Sequence, residues 1–310
     1  MESGGDGRIW GKIDVTKSQI QEDETMPRAK TLKLFLMDGE PSERVKCTLA
    51  NWTGIAYKIP RTSLDACKNM DILKQSGVYF LFGTDDNDKP AVYVGQAGVR
   101  KNGHGLLFRI QEPHSSIDYW TEVIVFTATN NSLGPTEISY LENRFCTLAN
   151  EAKRYVVKNG NEPNPGNITE ETESELEEYI DYAKIVMGAL GKRVFEPFIV
   201  EAEAKEPTYS MSYGKGRGRG KRTREGFVVL KGSVLNPKTT ASCPERTLKD
   251  RHDYADKVDE NGCLKEDLLF SSPSAAASFV GGASLSGNAL WRDKEGRRLK
   301  EILDAGVEGE

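Results

Sequence analysis

The 310-residue chain has no apolar run long enough to cross a bilayer, which excludes a helical membrane span. Its opening stretch, MESGGDGRIWGKIDVTKSQIQEDETMPRAK, has no apolar core, so no secretory signal is expected and a cytoplasmic location is. Cysteine is sparse. Cys47, Cys67, Cys146, Cys243 and Cys263 lie far apart, form no C-x-x-C pair and are odd in number. That pattern argues against a disulfide framework or a cysteine zinc site and fits free thiols in a reducing compartment. The G-x-x-x-x-G-K-[ST] spacing of a phosphate-binding loop is absent, and no internal repeat is visible. Net positive charge is missing too. At −5 overall the chain is no uniformly basic nucleic-acid coat, although a local basic site stays open because partners feel the local field.

What is present suits a globular protein with 37% apolar and 29% charged residues, long enough for two ordinary domains. Residues 1–30 read as a polar tail. Residues 31–70 contain lead-in strands: TLKLFLMDG alternates and turns at Asp38-Gly39, and IAYKIPRTSL is a second strand ending near Pro60. Residues 71–158 form an α/β core. There SGVYFLFGTDDNDKPAVYVGQAG is a hairpin and HGLLFRIQE a short helix closed by Pro113. WTEVIVFTAT follows as a buried strand. GPTEISYLENRFCTLANEAKRYVV is a long helix with Pro135 in its first turn and a stripe of Ile138, Leu141, Phe145 and Leu148. Residues 159–200 are an acidic helical extension, with Glu170, Glu171, Glu173, Glu175, Glu177 and Glu178 near its start. They read as a solvated face suited to the helix dipole, or more sharply as an acidic lid or DNA mimic. Residues 201–225 read as a flexible basic Gly/Arg-rich linker. Residues 226–305 are a separate smaller α+β domain, opening with the strand GFVVLKGSVL and continuing through the helices CPERTLKDRHDYADKV and SSPSAAASFVGG.

Chemistry concentrates in the core. With the hairpin turn centred on Asp86, Tyr79 would face Tyr93 directly across the strands. Both phenols would then share one face, with Val78, Phe80, Phe82, Val92 and Val94 on the other. Arg109 sits beside the Leu106/Ile110 stripe of the short helix, where its guanidinium reaches over the sheet. Glu142 borders the apolar stripe of the long helix, where a half-buried carboxylate needs a metal, an arginine or a phenol. Taken singly each has a bland role: core tyrosines, a surface arginine, a glutamate paired with Arg144 or Lys153. Together they suit phosphodiester hydrolysis. A carboxylate holds Mg²⁺ (or Mn²⁺), the arginine neutralises phosphate charge, and a phenol whose pKa is lowered by metal and arginine takes a proton from water. Glu137 is a rival carboxylate at the helix start, and His104 and His252 have no evident partners. The linker cations Lys215, Arg217, Arg219, Lys221, Arg222 and Arg224 suit phosphate contact, as do Arg100 and Lys101 near the hairpin.

Gly77-Val78-Tyr79 and Tyr93-Val94-Gly95, followed by Arg109 and Glu142, resemble the GIY-YIG nuclease superfamily, as do YVGQAG and SYLENRF. KLFLMDGEPSERVKCTLANWTGIAYKIPR is similar to the lead-in of prokaryotic members. GFVVLKGS and FSSPSAAASFVGGASLSGNALWRDKEGRRLKEIL are similar to an uncharacterised domain often attached at their C-terminus. The resemblance implies a small three-stranded antiparallel sheet flanked by helices. It also implies a DNA endonuclease that leaves a 5′-phosphate and a 3′-hydroxyl. Tyr79 would be the general base, Tyr93 a supporting phenol, Arg109 the phosphate stabiliser and Glu142 the metal ligand. Many members carry a histidine one turn after the arginine. Pro113 stands there, and His114 follows as the residue for that role. Gln96 stands where some members carry lysine. The rival reading is a catalytically silent nucleic-acid-binding or regulatory protein on the same fold. A nuclease acting on RNA is a third.

Overall fold

The computed structural model describes residues 28–99, 105–113, 117, 120–160, 163–199 and 206–307. Most of the expected tail, residues 1–27, lies outside them. From Leu32 onward the chain forms a single compact unit containing two sheets. Among the described residues no helix is long and apolar enough to cross a membrane.

Seven strands make the first sheet: β1 Leu32–Leu36, β2 Val45–Leu49, β3 Gly54–Pro60, β4 Gly77–Thr84, β5 Pro90–Ala97, β6 Glu122–Ala128 and β7 Val156–Val157. Their spatial order is β1-β2-β3-β6-β4-β5-β7, antiparallel throughout except for the parallel pairing of β5 with β7. Three strands were expected, and seven are found. The sheet is larger because β3 pairs with β6 along its whole length, from Gly54↔Ala128 to Pro60↔Glu122. The lead-in is therefore one half of the same sheet. VKCTL, passed over in the sequence, becomes β2 because Val45, Cys47 and Leu49 alternate onto a buried face.

Pleating divides the central strands between two cores. Val78, Phe80, Phe82, Val92, Val94, Ile124 and Phe126 pack beneath two helices, α2 (Pro135–Ala152) and α3 (Glu170–Ala189). Tyr79, Leu81, Ala91, Tyr93, Val123 and Val125 face the short helix α1 (Leu106–Gln111) and the 3-10 turns at Arg61–Cys67 and Asp71–Lys74. Pro135 opens α2, and Lys153 ends it in the left-handed region at φ 55°. Thr169 caps α3 by accepting from the Thr172 N–H. Helix α3 buries Leu176, Tyr179, Ile180 and Ala183, while Glu170, Glu171, Glu173, Glu175 and Glu178 stay exposed. Glu177 turns inward instead and accepts from the Arg144 guanidinium and the Tyr140 hydroxyl.

The basic stretch is not a linker. Tyr209–Tyr213 is β8 and Gly216–Thr223 is β9, joined by β10 (Gly226–Val229) and β11 (Leu268–Phe270) in a second sheet of order β11-β10-β9-β8. Helices α4 (Glu245–Asp253), α5 (Pro273–Gly281), α6 (Gly287–Leu290) and α7 (Leu299–Val307) complete this part. In G-R-G-R-G the glycines point inward and the arginines outward. A Cβ on Gly218 would lie 2.8 Å from Cη2 of the buried Trp291 and 2.9 Å from Cγ of Met211. One on Gly220 would lie 2.3 Å from the Phe227 ring. Glycine is required here because aromatic rings occupy the space a side chain would take. The period-2 alternation was legible as a strand and was read as flexibility. Arg251 is half-buried: its guanidinium donates to the carbonyls of Asn236, Phe279 and Val280 and ties α4 to α5. Charges join this part to the first sheet. Glu225 accepts from Arg154 at 2.6 Å by each oxygen and from Arg193 at 2.8 Å, and Glu266 pairs with Lys153 and Lys257.

Packing at β9 yields a direct expectation. Gly218→Ala forces a methyl into Trp291 and Met211 and lowers stability by about 1–3 kcal/mol, whereas Arg217→Ala, on the outer face, costs much less. Urea unfolding followed by tryptophan fluorescence measures both.

Candidate active site at the free edge of the first sheet

The hairpin register differs from expectation by two residues. Tyr79 pairs with Gly95, and Tyr93 with Leu81, so the turn centres on Asn87. A shift of two preserves the face, so both phenols remain on the α1 side as diagonal neighbours, with ring centroids 6.3 Å apart. This explains the second glycine beside a tyrosine. A Cβ on Gly95 would lie 2.4 Å from Cζ and 2.5 Å from the hydroxyl of Tyr79, so the ring lies across Gly95 toward Tyr93. Gly77 is hemmed in likewise by the Phe126 carbonyl and the Leu106 side chain.

Glu142 arrives from the opposite layer, around the edge of the sheet. Strand β7 covers β5 only at Ala91 and Val92. Beyond it, the Asn159 amide takes the strand's place, accepting from Val94 N–H at 3.0 Å and donating to Val94 C=O at 2.7 Å. At the next outward position Glu142 accepts from the Gln96 backbone N–H and, at 2.9 Å, from the Gln96 side-chain amide. That amide also contacts Ser139 Oγ at 3.1 Å. The carboxylate is thus held near the plane of the sheet. From there it raises the pKa of both phenols and feels the positive charge of Arg109. Arg144 and Lys153, its rival partners, are engaged by Glu177 and Glu266.

Arg109 projects from α1 between its buried Leu106 and Ile110 and interacts electrostatically with Tyr79 and Tyr93. It is ion-paired within its own helix to Glu112 at 2.9 Å. Tyr79, Tyr93, Arg109 and Glu142 are therefore within mutual electrostatic reach. Burial raises the Tyr79 phenol far above the ordinary tyrosine range, reinforced by Tyr93, and the favourable field of Arg109 does not offset it. Burial also raises Tyr93, with Glu142 adding to the effect. Glu142 itself is raised by burial, against the hydrogen bonds from Gln96. Arginine alone does not lower these phenols, because dehydration outweighs it; the expected lowering takes the metal and the arginine together. Tyr79 is wholly buried and Tyr93 only partly.

Other expected site residues lie elsewhere. His114, Arg100, Lys101 and His104 fall outside the described residues. Lys215, Arg217, Arg219, Lys221, Arg222 and Arg224 belong to the second sheet or its turns. Glu137 occupies the first turn of α2, folded over Gly134, and His252 is exposed beside Asp253. Sequence reasoning missed Gln96, Ser139 and Asn159 as the groups that hold the edge. A polar Gln96 continuing the apolar row Val92-Val94 was the available signal. No cluster of three or more metal-ligating side chains occurs among the described residues. A single carboxylate nevertheless fits Mg²⁺, which keeps several waters and binds through one or two carboxylates plus substrate phosphates.

Comparison with known proteins reaches only part of the chain. No curated protein and no solved structure matches it. Residues 209–303 match the family described as a domain of unknown function, DUF4357. That match starts at β8 and so takes in the arginine-rich strand together with the C-terminal region the sequence had set apart. It says nothing of the edge site.

Proposed function

We propose that the chain is a divalent-metal-dependent endonuclease that hydrolyses phosphodiester bonds in DNA, with the edge of β5 as its active site. One observation supports this reading above others: two phenols, a guanidinium and a half-buried carboxylate from four separate elements meet where the sheet is open. The likeness of this set to the GIY-YIG nucleases points the same way. In this reading Arg109 releases Glu112 to take a non-bridging phosphate oxygen. A phenolate of the tyrosine pair accepts the proton of the attacking water. The phosphorus–O3′ bond breaks, leaving a 5′-phosphate and, once the leaving oxygen is protonated from solvent, a 3′-hydroxyl. Glu142 would hold the metal, which supplies charge stabilisation for the leaving oxygen. Gln96 positions Glu142.

A second reading has its own observation. Tyr79 is fully buried and Glu142 caps a strand edge, which are structural duties sufficient for a catalytically silent nucleic-acid-binding or regulatory protein. The two readings separate on substitution. Glu142→Gln, Tyr93→Phe and Tyr79→Phe each reduce cleavage of supercoiled plasmid in Mg²⁺ by at least about 100-fold, while far-ultraviolet dichroism is unchanged. Full retention of cleavage in all three overturns this active site, and no metal-dependent cleavage by the wild type supports the silent protein.

Proton linkage gives a further test. Burial raises the pKa of Glu142 in the folded chain, so folding disfavours its carboxylate relative to the unfolded chain. Its contribution to stability is present at low pH and is lost as pH rises through the folded value. At pH 7 in EDTA, Glu142→Gln therefore melts no lower than wild type, and Mn²⁺ raises the melting temperature of wild type only. Cleavage by wild type climbs with pH across the neutral and alkaline range, because the phenols hold their protons beyond the ordinary tyrosine value. A flat profile between pH 7 and 9 would exclude a phenolate base.

A further inference from the structure

The two faces of the second sheet differ sharply. Toward the core lie Tyr209, Met211, Phe227, Val229 and the glycines of β9. On the other face, strand pairing aligns residues in rows. Arg219 is opposite Ser210, Ser210 is bridged to Arg292, and Arg292 to Arg298. One step along, Arg217 is opposite Ser212. All six of these residues are exposed. The stretch from Tyr209 to Arg224 holds six cations and no acid. Among the described residues none of Arg217, Arg219, Arg292 and Arg298 is ion-paired with a carboxylate. Of the acids nearby, Asp293 is engaged by Arg297 and Glu225 by Arg154 and Arg193, and Glu301 accepts from the Arg298 backbone N–H.

Three properties of this face identify its partner. Neighbouring strands are about 4.8 Å apart and alternate residues about 6.8 Å apart along a strand, so several guanidinium groups reach one polyanion at once. The backbone at Arg217 and Arg219 is held by β8 on one side and by Val234 and Leu230 on the other, so the charges are presented without ordering a flexible segment. The face offers arginines and serines, which donate hydrogen bonds to phosphate oxygens, and no aromatic ring on which an unpaired base could stack.

We propose that this face, centred on Arg217, Arg219 and Arg292, is a rigid platform for the phosphate backbone of double-stranded DNA, bound without sequence preference. It stands apart from the edge of β5 and requires no cleavage, so it holds whether or not the hydrolase reading does. Arg292 and Arg298 lie more than sixty residues from the Gly/Arg stretch in sequence and join it only through pairing with β8.

The test is a salt titration of binding to a fluorescent 30-base-pair duplex in EDTA, with wild type and the variant R217Q/R219Q/R292Q. Each lost contact lowers the slope of log K against log salt by about 0.9, so the triple variant loses about 2.7. R217K/R219K/R292K keeps most of the slope, and K33Q/K68Q, at exposed lysines of the part built on the first sheet, keeps all of it. Should the triple variant melt early, R219Q alone loses about 0.9. Equal slopes for wild type and variant overturn the proposal. So does tighter binding to the single strand of equal length, or arginine-dependent binding to phosphatidylserine vesicles with none to duplex.

Discussion

Backbone groups at the free edge of a strand must find partners, and β5 meets that demand in three ways along eight residues. A short parallel strand serves Val92, an asparagine amide serves Val94 and a carboxylate serves Gln96. The third of these puts a charge where a neutral group would suffice. Ending β7 after two residues leaves the space that Glu142 enters, and that entry brings α2 and α1 chemistry to the same place although they cover opposite faces.

The first sheet was legible wherever side-chain alternation and burial agreed. Tyr79 and Tyr93 were assigned to one face because a two-residue period survives a register error of two. The pairing itself was misjudged because the sequence marks a turn at Asp85–Lys89 without marking its centre. Asp85 settles the centre by accepting from the N–H groups of Asn87 and Lys89, a contact with no periodic signature. Sheet size was also hidden. Nothing in GIAYKIP names EVIVFTA as its partner, since pairing of two apolar strands is decided by burial on both faces.

The burial of the phenols was hidden for a related reason. Charges are countable in a sequence, and Arg109 together with a bound metal argued for lowered phenols. Dehydration depends on how much protein lies above each ring, which only packing reveals: Tyr79 beneath Tyr93 and against Gly95 has no water contact. The likeness of the edge site to a hydrolytic centre therefore rests on position, with reactivity still dependent on what binds there.

The alternation of glycine and arginine in β9 also bears on how the chain reaches its fold. A register slip of one residue against β8 or β10 would push Arg217 or Arg219 toward Trp291 and bring glycines to the surface. Apolar strands that slip exchange one hydrophobic contact for another. Here a slipped intermediate would strand a guanidinium in an aromatic pocket with no anion, so misaligned pairings are discouraged from the moment the sheet begins to form.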